Sequence, residues 1–523
     1  MLLILVLKHI TIKNLKGHTL LEDFNYSLGN TDKVGIIGEE GNGKSTLLKS
    51  IYDKKLIEDY AVISGTIDTD FKRIGYFEQQ LSSDWDHAVL FEFLLKEHVE
   101  DEILPEQYNN LEGIENLCIE LGIKNDQLYS DQTIGMLSGG EKVKLQLLKI
   151  RMRNPDLLLL DEPTNDLDIP TLECLEKFIQ YSKIPIIFIS HDETLLQQCA
   201  NTIIHLEQRN KKTKCVYTIF KGTYEEYQST RSHSLQKERQ EAAFEKRDYQ
   251  KKKEKLMRSM SAVHDAQNDT VRSPFYAAAL KTKMKNLKAQ EKRLEETDLH
   301  HVDTVEESID VFFDQIDSVN RCIIDEEFNK ITIGDRTLLQ YFHLVLYGKD
   351  KKAIVGKNAC GKSVLMKQLY EILKNHPNIK LGYMPQVYED VFSIEDTPVT
   401  FLLEEGDQED VTRARKLLGR MKFTREEMKQ SVTELSEGQK AKLYLIRFIK
   451  QKCNVLLLDE PTRNLSPLTS SAIRNLLKDY SGCILAISHD RKFIKDVFSS
   501  VYLFENKEIT ELSVEDAINS FSK

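Results

Sequence analysis

The stretch GEEGNGKST, residues 38–46, decides the fold. It follows a short apolar run, KVGII at 33–37, and leads into a segment whose apolar residues recur at helical spacing. Strand, then G-x-x-x-x-G-K-[ST], then helix is the arrangement of a phosphate-binding loop. Gly38, Gly41 and Gly43 let the backbone curl so that successive N–H groups point at phosphate oxygens, and the helix N-terminus adds a favourable field. Lys44 then reaches the terminal phosphates, Ser45 can hold Mg²⁺, and Thr46 completes the nucleotide-binding set. The bland alternative is a glycine-rich turn that matches by chance.

Recurrence argues against chance. GKNACGKSV at 356–364 stands behind a second strand and supplies Gly356, Asn358, Gly361, Lys362, Ser363 and Val364. Each loop is followed by three landmarks in the same order. The first half has Gln79 in GYFEQ, Ser138, Gly139 and Gly140 in LSGGE, and LLLLDEPTNDLD at 157–168. The second has Gln386 in GYMPQ, Ser436 and Gly438 in LSEGQ, and VLLLDEPTRNLS at 455–466. Ser138 to Asp161 and Ser436 to Asp459 are both 23 positions, and Asp161 to His191 and Asp459 to His489 are both 30. Equal spacings in two places mark a tandem duplication of one nucleotide-binding domain.

Composition sets the outer bounds. At 523 residues, 41% hydrophobic and 30% charged, the chain has room for about three domains. No apolar run approaches the ~20 residues that cross a bilayer. The opening MLLILVLKHITI reaches Lys8 and continues in β-branched alternation, so it reads as a first strand and not a signal peptide. Eight dispersed cysteines without a C-x-x-C pair point to reduced thiols in the cytoplasm, with no disulfide or zinc framework.

Five separated motifs, each present twice, resemble the ABC-type ATPases with two nucleotide-binding domains in one chain. The resemblance implies an α/β fold: two ABC-type P-loop domains, each a doubly wound core with a helical subdomain, here roughly 80–150 and 387–450. It also implies head-to-tail closure, with each ATP between one half's phosphate loop and the other half's L-S-x-G helix. In-line attack of water on the γ-phosphate needs charge neutralisation, a positioned metal and a base. Asp161 and Asp459 are then the expected holders of Mg²⁺ together with Ser45 and Ser363, and Glu162 and Glu460 the groups that polarise the water. Gln79 and Gln386 should touch metal and water, and His191 and His489 stand where the family has its switch histidine.

The two sites are not equivalent in sequence. Site one joins Lys44 to LSEGQ, where Glu437 replaces a glycine, and faces Ser466; site two joins Lys362 to LSGGE and Asp168, with Ala359 in its own loop. A carboxylate near a triphosphate is unfavourable unless it points away or finds a cation, so site one is expected to hydrolyse more slowly. Lys16 and Ile333 stand near the places where an aromatic often stacks on adenine, which leaves base selectivity open. Cys360 lies inside the second loop, either as a thiolate favoured by the helix N-terminus or as a small buried thiol.

The linker separates one family branch from others. Residues 1–228 and 301–523 read as the two domains and 229–300 as a basic helical hairpin. Residues 246–293 hold 14 Lys or Arg against 5 Asp or Glu, nine positive charges in excess on a chain of net −11. The first helix is expected to end near Met260, with a seam of Leu235, Ala242, Phe244, Tyr249, Leu256 and Met260, before HDAQNDTVRSP breaks the pattern. Ser273 then caps a second helix from Phe275 to about Glu296, seamed by Leu280, Met284, Leu287 and Leu294. A solvated face mixes signs, whereas this imbalance suits a phosphate backbone. Two such domains around a basic hairpin resemble the ABC-F ATPases. That resemblance implies a cytoplasmic monomer that closes on ATP, binds the ribosomal E site and brings the hairpin to 23S rRNA and P-site tRNA. It implies either ribosomal protection against 50S-targeting antibiotics or a housekeeping or stress role, with the tip residues Met260, Val263, His264, Phe275 and Tyr276 as contacts. SHDRKF at 488–493 fits the family's ending, and Asp166 stands where many members have His. The tandem ATPase subunit of an importer and a chromosome or repair ATPase remain as alternatives.

Overall fold

The computed structural model describes residues 4–523 except 80, 104–113, 166, 210–213, 270–273, 296–321, 329, 334–335, 359, 389–391, 394, 405, 422, 464, 506 and 522–523. In the first cassette the strands are β1 (Leu5–Asn14), β2 (Thr19–Leu28), β3 (Lys33–Ile37), β4 (Ala61–Thr69), β5 (Ile74–Phe77), β6 (Leu157–Asp161), β7 (Ile186–Ile189), β8 (Thr202–Arg209) and β9 (Lys214–Lys221). One sheet has the order β5-β6-β7-β3-β8-β9, parallel except for the β8–β9 pair. Its central strands β3, β6 and β7 are buried at every position, which is why they read as unbroken Val, Ile and Leu runs and not as alternation. A second, antiparallel sheet has the order β2-β1-β4.

The phosphate loop leaves β3, between β7 and β8, where an open parallel sheet offers its ligand crevice. Helices α1 (Lys44–Tyr52), α2 (Gly139–Met152), α3 (Ile169–Tyr181) and α4 (Glu193–Cys199) complete the parts that matter for the site. Asp168 caps α3 and Asp192 caps α4, each side chain accepting from backbone N–H groups of the first turn.

The linker forms a unit of its own, residues 225–304. Its first helix, α5 (Tyr224–Asp269), has 46 residues and is about 69 Å long at 1.5 Å per residue. It therefore starts before residue 229 and runs past Met260, because the polar stretch at 264–269 contains no Gly or Pro to stop it. The second helix, α6 (Pro274–Glu295), begins on its proline. Ser273 lies outside the described residues. Leu235, Val263 and Leu280 are buried, whereas Phe244 is 73% exposed and does not belong to the seam. Phe244 lies nine residues from Leu235, two and a half turns at 3.6 residues per turn, so it falls on the opposite side. Val263 is likewise a packing residue and not an outward contact at the tip.

The second cassette repeats the core with β10 (Cys322–Phe328), β11 (Ile331–Ile333), β12 (Arg336–Leu339), β13 (Phe342–Tyr347), β14 (Lys351–Gly356), β15 (Leu381–Met384), β16 (Val455–Asp459), β17 (Cys483–Ile487), β18 (Ser500–Glu505) and β19 (Glu508–Ser513). Its main sheet, β15-β16-β17-β14-β18-β19, matches the first strand for strand. The antiparallel part differs: β10 pairs with β13 and β11 with β12, and among the described residues no strand takes the place of β4. Lys44 to Gln79 spans 35 positions but Lys362 to Gln386 only 24, so the second half lacks the chain for that strand. Helices α7 (Lys362–Leu373), α8 (Glu437–Lys450), α9 (Pro467–Lys478) and α10 (Arg491–Val497) correspond to α1 to α4. Among the described residues no helix is long and apolar enough to cross a membrane, and all eight cysteines are free thiols.

Candidate active sites

Both phosphate loops are folded into anion cradles. Gly38, Gly41 and Gly43 have positive φ, as do Gly356 and Gly361. A Cβ on Gly38 would lie 2.3 Å from the Leu206 carbonyl oxygen, and one on Gly356 2.4 Å from that of Phe504, so each loop starts where only glycine fits. Asn42 donates to the Leu206 carbonyl at 2.9 Å and anchors the first loop to β8. The loop lysines fold back over their own cradles: Lys44 Nζ donates to the Gly38 and Glu39 carbonyls at 2.7 and 3.0 Å, and Lys362 Nζ to those of Gly356 and Lys357 at 2.8 Å.

At the end of β6, Ser45 Oγ donates to Asp161 Oδ1 at 2.9 Å and Tyr76 OH to Asp161 Oδ2 at 3.1 Å. In the second half Ser363 is near enough to Asp459 to favour its charged form, and Asp459 Oδ1 has no hydrogen-bond partner among the described residues. Burial raises the carboxyls of both Asp161 and Asp459. A hydroxyl and an aspartate with a spare oxygen form a hard oxygen donor set, and a dication there would relieve the cost of burying the charge. These residues fit Mg²⁺.

Glu162 and Glu460 follow with φ of 48° and 53°, a left-handed conformation uncommon outside glycine. Both halves keep this strain at the same place, where it aims the carboxylate off the strand axis. Their surroundings then diverge. Glu162 accepts from Gln79 Nε2 at 2.9 Å and Asn165 Nδ2 at 2.8 Å, with His191 Nε2 at 3.3 Å. Burial alone would raise its carboxyl, but His191, Lys44 and Asn165 pull it down to about 2. Glu460 has the His489 backbone N–H at 3.4 Å and the His489 ring at 3.7 Å, and its Oε1 lacks a hydrogen-bond partner among the described residues. Burial, then Asp459, pushes it up to about 8, and burial pulls His489 down to about 3.

The halves meet with different closeness at the two sites. A cavity of about 680 Å³ lies over the second phosphate loop. Its lining takes Lys362, Ser363, Gln386 and Glu460 from one half and Asn165 and His191 from the other. Asp168 is close enough to influence the charge on Cys360 and His489. Ser138, Gly139 and Gly140, which site two is expected to use, are not part of that lining, and Gly139 is exposed. At site one only about 60 Å³ remains between Glu39 and Glu40 and the opposing Ser436, Gly438, Gln439, Lys442 and Ser466.

Glu437 does not line that gap: its Oε1 pairs with Lys440 at 2.8 Å, so it has found a cation on its own helix. The carboxylates that face LSEGQ come instead from the first phosphate loop, and the sequence reading passed over them. Leu20 and Leu338 pack against the helix N-termini at Gly43 and Gly361. Burial raises the Cys360 thiol against the pull of Lys362 and backbone N–H groups, which favours the inert reading. Ala359 and Asp166 lie outside the described residues.

Away from the nucleotide sites the halves are joined by buried ion pairs. Arg491 on α10 bonds Glu176 on α3 through both terminal nitrogens and approaches Asp192 at 3.8 Å. Arg474 on α9 and Lys492 reach Glu193 on α4 at 2.6 and 2.7 Å. The bases come from the second half and the acids from the first.

Known proteins agree with this construction. The family model described as "ABC transporter" matches residues 21–165 and 339–463, just over half of the chain. Ribosome protection protein VmlR of Bacillus subtilis is 27% identical, with 94% of this chain and 85% of that protein covered. ABC transporter F family member 5 of Arabidopsis thaliana is 26% identical, covering 94% and 74%. Among solved structures, archaeal aABCE1 in complex with the stalk protein aP1 has the same fold, with a TM-score of 0.59 at 16% identity over 99% of this chain and 91% of that one. The chain belongs to the ABC family, as an ABC-F ATPase with two ATP-binding cassettes in one polypeptide.

Proposed function

We propose that the protein binds the bacterial ribosome when its cassettes close on ATP, acts through the hairpin on P-site tRNA and the peptidyl-transferase centre, and leaves on hydrolysis. The observation that carries this reading is the hairpin: α5 is about 69 Å long, and residues 246–293 hold nine excess positive charges on an acidic chain. Lys251, Lys252, Lys253, Lys255 and Arg258 are all exposed, so the charge is available to a partner. RNA backbone rewards such a surface through counterion release, without demanding base-specific contacts. The family relatives add direction, since one full-length relative is a ribosome protection protein. Ribosomal protection against 50S-targeting drugs is therefore the role proposed within the family, exercised in the cytoplasm.

In the catalytic cycle Lys44 and Lys362 release their loop carbonyls to hold phosphate. Ser45 with Asp161, and Ser363 with Asp459, would hold Mg²⁺, which would supply charge neutralisation for the phosphates. Glu162 and Glu460 orient the attacking water and accept its proton, with Gln79, Gln386, His191 and His489 beside them.

The Glu162→Gln, Glu460→Gln double variant should stay closed on ATP and co-sediment with 70S ribosomes. Intact ATP binding without co-sedimentation would overturn the ribosome reading. Growth of a susceptible host with and without the gene, across a panel of 50S-targeting drugs, tests the protective role, and unchanged inhibitory concentrations throughout would assign it to housekeeping.

A further inference from the structure

The two phosphate loops differ in a way that their shared motif hides. Loop one reads Gly38-Glu39-Glu40, and loop two reads Gly356-Lys357-Asn358 at the same places. Two carboxylates thus stand where the other loop has a cation and an amide, in a cradle made for anions. Glu39 is paired across the interface, with Oε1 3.6 Å from Lys442 Nζ on α8. Glu40 faces Ser436, at the start of α8, across the same gap; burial raises its carboxyl, and His191, Lys44 and the Ser436 hydroxyl oppose that by favouring the charged form.

The signature serines explain why that hydroxyl is available. In the first half Ser138 Oγ donates to Glu141 Oε2 at 2.7 Å within its own capping box, so its proton is used locally. In the second half the box partner is Gln439, which accepts from the Ser436 backbone N–H at 3.1 Å and leaves the hydroxyl proton for another acceptor. Glu40 is the acceptor facing it. Its carboxylate therefore stands opposite Ser436, with Lys44 and His191 near enough to favour its charge and Glu162 near enough to oppose it. The gap left there, about 60 Å³, is far smaller than the ~300 Å³ or more of an ordinary small-ligand pocket.

We propose that Glu40 is a built-in competitor for the terminal phosphate at site one: its carboxylate takes the place of the γ-phosphate charge and ties the first loop to the opposing signature helix. ATP must displace it, whereas ADP, which lacks that phosphate, need not. Site one is consequently the weaker ATP site and discriminates least between ATP and ADP. Site two, with Asn358 in the equivalent position and an open cavity, carries no such competitor.

The test compares ATP with ADP in the full chain, without ribosomes, so that its result is independent of the ribosome reading. In a Lys362→Ala background, where site two is disabled, Kd is measured for fluorescent ATP and ADP analogues with and without Glu40→Asn. The ATP affinity should rise by about tenfold or more, as expected for removing a like charge a few ångströms away, with ADP changed less than twofold. An equal change for both nucleotides, or weaker ATP binding, would overturn the proposal. Glu40→Gln serves as the closer isostere if the Asn variant does not fold. The reciprocal Asn358→Glu, in a Lys44→Ala background, should lower the ATP-to-ADP preference of site two by about tenfold; an unchanged preference counts equally against it.

Discussion

Arg491 offers the most demanding test of how the halves are held together. Its side chain is 10% exposed and that of Glu176 6%, so the bond between them is sheltered from water and salt. Truncating one member of such a buried pair typically costs ~3–5 kcal/mol, most of it for the charge left behind. Arg491→Ala strands Glu176 and leaves Asp192 without the cation at 3.8 Å. The expected loss is therefore at the upper part of that range, ~4 kcal/mol. Removing the stranded charge as well should restore much of it: Arg491→Ala with Glu176→Gln is expected to cost only ~2 kcal/mol, a coupling of at least ~2 kcal/mol between the two sites. Native-state hydrogen exchange read on 491–497 and 169–181 gives the opening free energies segment by segment, which suits a chain too large for one two-state transition. If the single effects simply add, the contact is peripheral and the argument fails.

Three further outcomes follow from particular contacts. Lys149 Nζ sits 4.3 Å from the ring centre of Trp85 and 4.0 Å from that of Phe93, and burial, then Arg153, pulls its ammonium down to about 8. Trp85 is the one tryptophan of the chain, so its emission should titrate near pH 8 and lose that step in Lys149→Met; a flat profile in the parent would refute the placement. As pH falls, the unfolded chain takes up this proton near its ordinary value of about 10.4 and the folded chain only near 8, so this group makes stability rise with pH across that window. Gly38→Ala and Gly356→Ala each force a Cβ against a carbonyl oxygen, so each should lower ATP stoichiometry from two to one by equilibrium dialysis while sparing the other site. Iodoacetamide on the native protein should label the exposed Cys322 well before Cys360, whose thiol burial holds above its usual range; peptide mass spectrometry decides the order.

What the sequence could show followed from the physics of each element. Buried parallel strands announce themselves as runs such as LLLLD and VLLLD, and a phosphate loop needs its glycines at fixed offsets, so the α/β core, the duplication and the two loops were legible. The lack of a counterpart to β4 among the described residues of the second half was legible too, in the shorter span from Lys362 to Gln386, although the signature spacings drew the reading elsewhere. Contacts between halves were not. Glu437 looked like the carboxylate at site one because it replaces a glycine, yet an i,i+3 lysine on its own helix captures it. Glu40 occupies a variable position of the motif, and its meaning appears only when Ser436 is brought opposite. Phe244 was misplaced for a simpler reason, since a sparse seam on a 46-residue helix leaves the phase of each apolar residue weakly determined.

The asymmetry between the two ATP sites then has a physical source distinct from the catalytic motifs themselves. Asp161 and Asp459, Glu162 and Glu460, and His191 and His489 are the same residue types at the same spacing, yet Glu162 is held as a carboxylate near 2 while Glu460 is pushed to about 8. The difference comes from partners: Glu162 is fully engaged by Gln79, Asn165 and His191, whereas Glu460 faces a cavity of about 680 Å³ with an oxygen left over. A carboxyl with a spare oxygen in an open cavity is arranged to receive a ligand, and one saturated by side chains must first give up a bond to do so. Glu40 adds to this, because the contact that closes site one is made by the protein's own carboxylate and competes with the nucleotide that would otherwise close it. Site two is therefore the site whose filling can drive closure, and site one the site whose filling must break a contact already made. Exchanging Glu40 and Asn358 between the loops should exchange these roles, and that exchange separates an asymmetry built into the loops from one imposed by the rest of the fold.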